Sequence, residues 1–342
     1  MTPSAARSAP AEEDWRDVVR LIRDADQITL VCHVSPDADA LGSALAAGLA
    51  LRALGKDVLV SYGEEPFQVP GMLDFLPGLD LLVPPDAVPT TPELLVAFDC
   101  ASLERLGTLM PKAQAAKAFV VLDHHASNTW FGTHHLVDPG APATAVLVDE
   151  LLRRLGVQLT PEVATALYAG LATDTGSFKY AGTTPATHEF AARLLAAGIR
   201  HEEISRRLWD TVRFPYLKVL GRALDRVRLD ATALGGLGLV WTVVPLADRR
   251  AHGLRLDEVE SVIDVVRKTA EAEVAVVLKE DDEGVYQVSV RAKGRVDVGA
   301  ACTALGGGGH RYAAGFTAHG AAEQVVGDLY RAFDQVSTES QP

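Results

Sequence analysis

The sequence lacks any apolar run long enough to cross a membrane, and it has few cysteines. Its longest apolar stretches, such as residues 44–51, fall well short of the roughly 20 residues that a membrane helix needs. The three cysteines, Cys32, Cys100 and Cys302, are an odd number scattered through apolar segments, as expected of reduced thiols rather than of a disulfide framework. No signal peptide is visible, so we expect a cytoplasmic protein without a membrane segment.

Basic residues are scarce in the first part of the chain. Residues 1–190 contain 12 Lys and Arg against 24 Asp and Glu, whereas residues 191–342 contain 20 against 21. Long nucleic acids are normally bound through a track of Lys and Arg, so this balance argues against a long nucleic acid as substrate. Carboxylates collected to hold metal ions are one reason for the acidic excess, and a solvated acidic surface is another.

The chain has the length and composition of a two-domain globular protein. Its 342 residues are 48% hydrophobic and 23% charged, and one hydrophobic core rarely serves so long a chain. We predict a disordered tail over residues 1–14 and a first domain over residues 15–190. A helical linker without strands is predicted over residues 191–230, and a second domain over residues 231–338.

Short β-branched runs alternate with helical patterns in the first domain. The predicted strands are 27–32, 57–62, 94–98 and 118–122, and the main predicted helices are 14–25, 40–54, 143–155 and 161–172. This alternation predicts an α/β fold with a mostly parallel, doubly wound sheet and helices on both faces. The second domain is predicted to be a smaller α/β domain with a mixed sheet. Its predicted strands are 237–244, 273–279 and 286–291, and its predicted helices are 257–268 and 322–333.

Polar residues gather where these predicted elements end. The residues are His33, Asp37 and Asp39 after the first strand, Asp99 after the third, Asp123, His124 and His125 after the fourth, and Asp174 at a helix end. Taken singly, each Asp has an ordinary explanation as a helix cap or turn residue. Open parallel sheets, however, bind their ligands just beyond the carboxyl ends of their strands, so we expect these side chains to converge.

The converging carboxylates would repel one another unless cations lay between them. They are Asp37, Asp39, Asp99 and Asp174. Two divalent ions would balance four negative charges, with His33 and His124 as neutral nitrogen donors. Mixed nitrogen and oxygen ligands without a thiolate favour Mn²⁺ over Fe²⁺, Co²⁺, Zn²⁺ or Mg²⁺. Two metal ions roughly 3.5 to 4 Å apart can activate a bridging hydroxide for an in-line displacement at phosphorus. The pattern therefore predicts phosphoester hydrolysis.

In order and type, these residues resemble the four motifs of the DHH phosphoesterase superfamily. The motifs are His33-x-x-x-Asp37-x-Asp39, Asp99, Asp123-His124-His125 and Asp174. The resemblance implies one metal on His33 and Asp37 and the other on Asp39 and His124. Asp99 and Asp174 would bridge both metals and take part in catalysis.

The same resemblance implies roles for the neighbours of the metal ligands. The catalytic His125 would face the substrate phosphate, Asp123 would orient the histidine that follows it, and Asn128 would order the adjacent loop. Cys32 and Cys100 fall outside the pattern and are interpreted as packing residues. His134 and His135 also match nothing, and we expect them to be exposed or hydrogen-bonded, outside any strand.

The second domain contains a run of four glycines, Gly306 to Gly309, followed by His310 and Arg311. Such a run lets backbone N–H groups approach an anion, although it also occurs in flexible hinges. Gly-Gly-Gly-His resembles the mark of the DHHA1 substrate domain. Ser289-Val290-Arg291 resembles the start of its Ser-x-Arg-Ser element, whose last position is Ala292 here. The implied substrate contacts are Arg291, Gly307, Gly308, Gly309, His310 and Arg311.

From about residue 15 to 335 the chain looks like the nanoRNase and pAp phosphatase branch of the superfamily. This resemblance implies a phosphoesterase with two Mn²⁺ ions, a homodimer, that acts on small nucleotides. Very short RNA, 3′-phosphoadenosine 5′-phosphate (pAp) and cyclic di-AMP are the candidate substrates. The sequence does not rank them, because they share a phosphate and an adenine or ribose. A family II inorganic pyrophosphatase would carry an Arg-Lys-Lys element that is absent here. A non-catalytic nucleotide sensor could lose metal ligands that this chain keeps.

Overall fold

The computed structural model describes residues 9–339, with side chains described over 9–335, and the chain divides into two units after Thr211. Residues 1–8 of the predicted tail lie outside the described residues, and the first helix begins at Glu12. The helices within the predicted linker segment, residues 191–230, pack into the core of one unit or the other.

The first unit is built on a five-stranded, wholly parallel sheet in the order β2-β1-β3-β4-β5. Its strands are β1 (Gln27–Cys32), β2 (Asp57–Tyr62), β3 (Leu94–Phe98), β4 (Ala118–Asp123) and β5 (His134–Val137). The central strands β1, β3 and β4 are almost continuously buried and apolar, as parallel strands covered on both faces must be. The predicted α/β fold class is confirmed.

Helices cover both faces of this sheet. They are α1 (Glu12–Asp24), α2 (Ala38–Ala53), α3 (Met110–Gln114), α4 (Thr144–Leu155), α5 (Pro161–Asp174), α6 (Pro185–Ala196) and α7 (His201–Trp209). The large core on one face includes residues from all of these helices except α3. The other face is covered by α3 and the 3₁₀ segment Leu103–Leu109 that precedes it.

The register of the sheet aligns the carboxyl ends of the central strands. Cys32 is the partner of Phe98, and Phe98 is the partner of Leu122. The next residues along the chain are His33, Asp99 and Asp123, which therefore emerge side by side at one edge of the sheet. This alignment, rather than any single motif, brings the predicted site residues together.

The second unit is a six-stranded mixed sheet in the order β10-β11-β9-β8-β7-β6, in which only the β7–β8 pair is parallel. Its strands are β6 (Arg228–Asp230), β7 (Leu239–Val244), β8 (Val274–Asp282), β9 (Val285–Ala292), β10 (Gly308–His310) and β11 (Ala313–His319). Its helices are α8 (Phe214–Asp225), α9 (Ala233–Gly236), α10 (Leu246–Ala251), α11 (Val262–Val266), α12 (Val298–Ala304) and α13 (Ala322–Glu339). Residues of α12 and α13 pack in the core on one face, and residues of α8 and α11 in the core on the other.

Two short strands correct the sequence-based expectations. His134 and His135 begin the edge strand β5, whereas we expected them outside any strand. The three-residue strand β6 lies within the segment predicted to contain only helices. Both strands are short and partly polar, so they lack the buried β-branched run by which the other strands of the first unit were recognised. Within the described part of the chain, no helix is both long and apolar enough to span a membrane.

Candidate functional site

The first carboxylates of the site lie where β1 leads into α2. Asp37 is the N-cap of α2, and its carboxylate accepts hydrogen bonds from the backbone N–H groups of Asp39 and Ala40 at 3.0 and 2.9 Å. The ordinary explanation of Asp37 as a helix cap is thus correct. The cap also fixes the direction of a side chain that is 55% exposed and can still accept a ligand bond.

Asp39 is fully buried and is held by the start of another helix. Its two carboxylate oxygens accept hydrogen bonds from the backbone N–H groups of Thr144 and Ala145, at 2.6 and 3.0 Å. The first turn of α4 offers these N–H groups because they have no partner within the helix. Asp39 is therefore oriented by a contact more than a hundred residues away in sequence.

Asp99 lies at the centre of the site, directly after β3. Its backbone has a φ of 54°, in the left-handed region that few residues other than glycine adopt. Its N–H group donates to Leu122 on β4, and its carboxylate accepts a hydrogen bond from Thr144 Oγ1 at 2.9 Å. Backbone strain of this kind is concentrated at functional sites.

Asp174 is the last residue of α5 and brings a carboxylate to the carboxyl end of a helix. That end carries the negative pole of the helix dipole, so a second negative charge there is unfavourable without a cation nearby. Asp174 Oδ2 lies 3.0 Å from His124 Nε2, which joins this helix end to the strand edge.

Both predicted histidine ligands are oriented through Nδ1 by a backbone carbonyl. His33 Nδ1 lies 2.7 Å from the oxygen of Val34, and His124 Nδ1 lies 3.1 Å from the oxygen of Ala141. An Nδ1 that donates to its carbonyl leaves the lone pair on Nε2, as a metal ligand requires; His33 Nδ1 also lies 3.1 Å from the guanidinium of Arg105. His33 Nε2 lies 3.7 Å from a carboxylate oxygen of Asp99 and 3.8 Å from one of Asp37. His124 Nε2 lies 3.4 Å from Asp99 Oδ1.

The predicted metal ligands form two groups with ligand atoms within 4.8 Å of one another, and both contain Asp99, which also lies within that distance of Asp123 and His125. The groups are His33, Asp37 and Asp99, and Asp39, Asp99 and His124. All the donors are imidazole nitrogens or carboxylate oxygens, which suits a hard or borderline divalent ion. The residues thus fit two cation positions that share one carboxylate, with Asp174 beside the second.

The charges of the site also call for cations. Burial and the neighbouring Asp174 carboxylate raise the pKa of Asp39 to about 8. Burial and the carboxylates of Asp39 and Asp37 raise the pKa of Asp99 well above its usual range. Although burial opposes the shift, the contact with Asp174 raises the pKa of His124. Without a metal, protons must take the place of the missing positive charge.

Asp123 supports a different histidine from the one we expected. Its Oδ1 lies 2.7 Å from Nδ1 of His125, whereas Nδ1 of His124 is held by the carbonyl of Ala141. Asn128 Nδ2 donates to the other oxygen of Asp123 at 2.6 Å and to the carbonyl of Cys100 at 3.1 Å. Although burial opposes the shift, the His125 hydrogen bond lowers the pKa of Asp123. Asp123 therefore fixes His125 by its Nδ1 and leaves Nε2 for other contacts.

The residues that matched no motif have structural roles. Cys32 and Cys100 are fully buried, and burial raises the pKa of both thiols, so they pack as neutral side chains. His134 Nδ1 lies 2.9 Å from Thr133 Oγ1, and His135 Nε2 lies 2.7 Å from the carbonyl of Phe131. These hydrogen bonds agree with the expectation that both histidines have partners.

Sequence reasoning missed two residues that shape the site. Thr144 holds Asp39 with its N–H group and Asp99 with its hydroxyl. A threonine at a helix start is ordinarily interpreted as the cap of its own helix, so its contacts with Asp39 and Asp99 could not be inferred from its position. Gly170 on α5 lies so close to Asp39 that a Cβ there would be 2.5 Å from Asp39 Oδ1. The sequence contains one signal for this close contact, namely a glycine within an otherwise apolar helix.

In the second unit, the residues of the two predicted substrate elements share one face of the sheet. Arg291 is paired with Ala313, which is paired with His310, and Ser289 is paired with Gly315, which is paired with Gly308. Directly paired residues of adjacent strands lie on the same face. Arg291 and His310 therefore lie on either side of Ala313. Together with Gly308 and Gly315, Ala313 forms a floor of small residues on this face. Arg311 is exposed, with its guanidinium over the ring of Tyr312.

Part of the glycine run, Gly306 to Gly309, belongs to the sheet of the second unit. Gly307 N–H donates to the carbonyl of Cys302, and Gly308 and Gly309 belong to β10. A Cβ on Gly307 would lie 2.1 Å from the carbonyl oxygen of Gly315, and one on Gly309 would lie 2.6 Å from that of Ala313. These two glycines are needed for packing against β11. Gly308 faces open space on the side shared with Arg291 and His310.

Two family models match the chain. The model described as "DHH family, N-terminal domain" matches residues 27–171, and the model described as "DHHA1 domain" matches residues 241–339. The first match spans β1 to α5, and the second covers most of the mixed sheet of the second unit.

Full-length relatives and a solved structure resemble the chain over almost all of its length. The "Bifunctional oligoribonuclease and PAP phosphatase NrnA" of Thermus thermophilus is 35% identical over 336 residues, which cover 96% of this chain and 95% of the relative. The Bacillus subtilis protein of the same name is 26% identical over 92% of this chain and 96% of its own. An exopolyphosphatase-related protein from Bacteroides fragilis shares the fold, with a TM-score of 0.84, 23% identity and coverage of 95% and 96%.

Proposed function

The chain belongs to the DHH family, with a DHHA1 domain after the DHH domain, and from this premise we propose that it is a metal-dependent phosphoesterase of small nucleotides. Its substrates are short oligoribonucleotides, cleaved to mononucleotides, and pAp, converted to AMP. One geometric observation carries the proposal: two groups of nitrogen and oxygen ligands share Asp99 at the edge of the sheet.

Two divalent ions, which we propose to be Mn²⁺, would be held by six side chains. They are His33, Asp37, Asp39, Asp99, His124 and Asp174. When bound, such ions supply positive charge and an activated water for attack at phosphorus. The chain keeps the ligands in place through Thr144, which donates hydrogen bonds to both Asp39 and Asp99.

His125 is the residue that we propose to face the substrate phosphate. Its Nδ1 donates to the Asp123 carboxylate, so Nε2 is the nitrogen proposed to face the phosphate, and it donates to a phosphate oxygen when both ring nitrogens carry a proton. Asn128 holds the other oxygen of Asp123 and so limits rotation of the carboxylate. This chain of hydrogen bonds sets the direction in which the imidazole can donate.

The polar face of the second unit is the proposed nucleotide-binding surface. Its proposed contacts are Arg291, Gly307, Gly308, Gly309, His310 and Arg311. Arg291 and His310 supply hydrogen-bond donors for phosphate or base, and Gly308 leaves space between them. Because Gly307 and Gly309 pack against β11, they also set the backbone path of β10.

Product analysis with Mn²⁺ present tests the function. We expect AMP from pAp and mononucleotides from a diribonucleotide, with slower turnover of cyclic di-AMP, since the relatives named above are oligoribonucleases and pAp phosphatases. Inorganic pyrophosphate serves as a control that should stay intact. Absence of AMP, mononucleotide and phosphate from all three nucleotides would contradict the proposal.

We also propose a homodimer, as the family resemblance implies. Light scattering of the purified protein should then give about twice the chain mass of 36.4 kDa. A mass equal to one chain across the working concentration range would refute this part of the proposal.

A further inference from the structure

The second unit contains a buried lysine that belongs to no motif. Lys279 lies on β8 with only 5% of its side chain exposed, and its ammonium contacts Glu260 Oε2. The other oxygen of the same carboxylate accepts a hydrogen bond from Ser289 Oγ at 2.8 Å. Glu260, whose side chain is 45% exposed, thus joins a buried cation to the serine of the Ser-Val-Arg element.

This network borders the proposed nucleotide-binding face. Ser289 is paired with Gly315, which is paired with Gly308, and Arg291 follows Ser289 on the same face two residues along β9. Lys279 lies on that face as well, because it is two residues from Val277, the partner of Ser289. The Glu260 carboxylate is therefore next to the floor of small residues.

Glu260 also lies against the ammonium group of Lys279, whose charge is unfavourable in a buried position. Burial, together with the guanidinium groups of Arg291 and Arg249, lowers the pKa of Lys279 to about 7. The Glu260 carboxylate contacts the ammonium and pairs its charged form. A buried ion that loses its partner is strongly unfavourable, so Lys279 and Glu260 hold each other in place.

We propose that Glu260 is a positioning residue for the nucleotide, because it fixes the hydroxyl of Ser289 as a hydrogen-bond acceptor and neutralises Lys279. This inference rests on the function proposed above.

As a consequence, Ser289 and Arg291 on β9 would make different kinds of hydrogen bond to a ligand. Ser289 has a single hydroxyl proton, which it donates to Glu260, so toward a ligand it can only accept a hydrogen bond. It is then suited to a ribose hydroxyl or a base amino group and cannot donate to an ionised phosphate. Arg291, which only donates, remains as the phosphate-binding group on this strand.

Steady-state kinetics of Glu260→Gln, Ser289→Ala and the double variant test the inference. Lys279 and Ser289 donate to different oxygens of Glu260, and an amide replaces one of these acceptors with an N–H donor, so it cannot satisfy both partners in the same geometry. We expect KM for pAp to rise roughly three- to tenfold in each single variant, the loss expected of one hydrogen bond, with kcat within about twofold. The double variant should have a KM no higher than the worse single variant, because both changes remove the same interaction.

Glu271→Gln is the matched control, since it makes the same change at an exposed glutamate of the same unit, and its KM should not move. An unchanged KM in Glu260→Gln, additive effects in the double variant, or a fall in kcat in place of the rise in KM would overturn the inference. If Glu260→Gln does not fold, Glu260→Asp, which withdraws the carboxylate by one methylene, replaces it. An unmutated protein without turnover would instead refute the proposed function, and calorimetric binding of pAp to the same variants would then test the role of Glu260.

Discussion

Asp99 is the side chain on which the proposed chemistry depends most. It belongs to both groups of proposed metal ligands. Its backbone N–H group donates a hydrogen bond to β4, and its carboxylate accepts one from α4. A substitution of Asp99 therefore removes a ligand from both proposed cation positions at once.

Replacing Asp99 should therefore eliminate turnover on every substrate. We expect Asp99→Ala to lower kcat more than about a hundredfold, as when a main electrostatic contact of a transition state is removed. Arg311→Ala should mainly raise KM, because its exposed guanidinium lies in the other unit on the proposed binding surface. Rates on pAp and a diribonucleotide measure both effects. Normal activity of Asp99→Ala would show that the proposed dinuclear site is wrong.

The buried carboxyl groups make metal uptake depend on pH. Without metal, burial and the neighbouring carboxylates raise the pKa of Asp39 to about 8 and that of Asp99 well above its usual range, so the metal-free site binds more protons than these carboxyl groups would in water. Metal binding must displace these protons. Affinity for Mn²⁺ should therefore strengthen as the pH rises from 6 to about 8, by up to about tenfold per pH unit for each proton released.

Calorimetry in buffers with different heats of ionisation measures the protons released. The metal-free protein should also lose stability as the pH rises over this range, because its native state binds more protons than its unfolded state. Metal affinity that does not change between pH 6 and 8 would mean that these carboxyl groups are already ionised.

The helix pair α2 and α5 brings two of the proposed ligands together. Gly42 and Gly170 let the helices approach closely, since a Cβ on Gly42 would lie 2.6 Å from the carbonyl oxygen of Ala166 and one on Gly170 would meet Asp39. Asp39 lies in the first turn of α2 and Asp174 at the last position of α5. The spacing of these helices thus determines where both carboxylates lie.

Adding one methyl group at Gly170 should disturb this arrangement. Gly170→Ala would push Asp39 from its position. Overpacking of this kind typically lowers the free energy of unfolding by about 1–3 kcal/mol. We expect a lower melting temperature and weaker Mn²⁺ binding. Gly221→Ala in α8 is the control, because a Cβ there meets nothing within 4 Å and an exposed helical glycine should become more stable by about 0.5–1 kcal/mol when replaced. Unchanged metal binding in Gly170→Ala would contradict the proposed role of this close helix contact.

The elements that could be predicted from the sequence are those whose signal is local. The strands β1, β3 and β4 are apolar runs, and the order of strands and helices indicated a parallel sheet. The strand β5 begins with two histidines, and β10 consists of two glycines and a histidine, so neither has the composition of a strand. The convergence of carboxylates followed from the strand ends. The support of Asp39 by Thr144, and of His125 rather than His124 by Asp123, depends on long-range geometry or rotamers that local patterns do not contain.

The charge of the molecule as a whole bears on the length of its substrate. The chain carries a formal net charge of −13, and residues 1–190, which contain all the proposed metal ligands, account for −12 of it. An RNA that extends beyond the metal site would bring further negative charge against this acidic surface, whereas a dinucleotide brings little. Long polyanions are bound tightly by proteins with a basic track, whereas residues 1–190 contain twice as many acidic as basic side chains.

Turnover should consequently fall with RNA length, and salt should reduce the difference. We expect kcat/KM to decrease from a dinucleotide to a pentanucleotide and to be lowest for an RNA of about twenty-five residues. Raising the ionic strength screens repulsion over distances beyond about 8 Å, so the longest RNA should gain more from added salt than the dinucleotide. Rates on end-labelled RNAs at two salt concentrations measure both trends, and pAp serves as a short control. If added salt instead lowers kcat/KM for the longest RNA more than for the dinucleotide, a basic RNA-binding surface exists. The electrostatic explanation of substrate size would then be wrong.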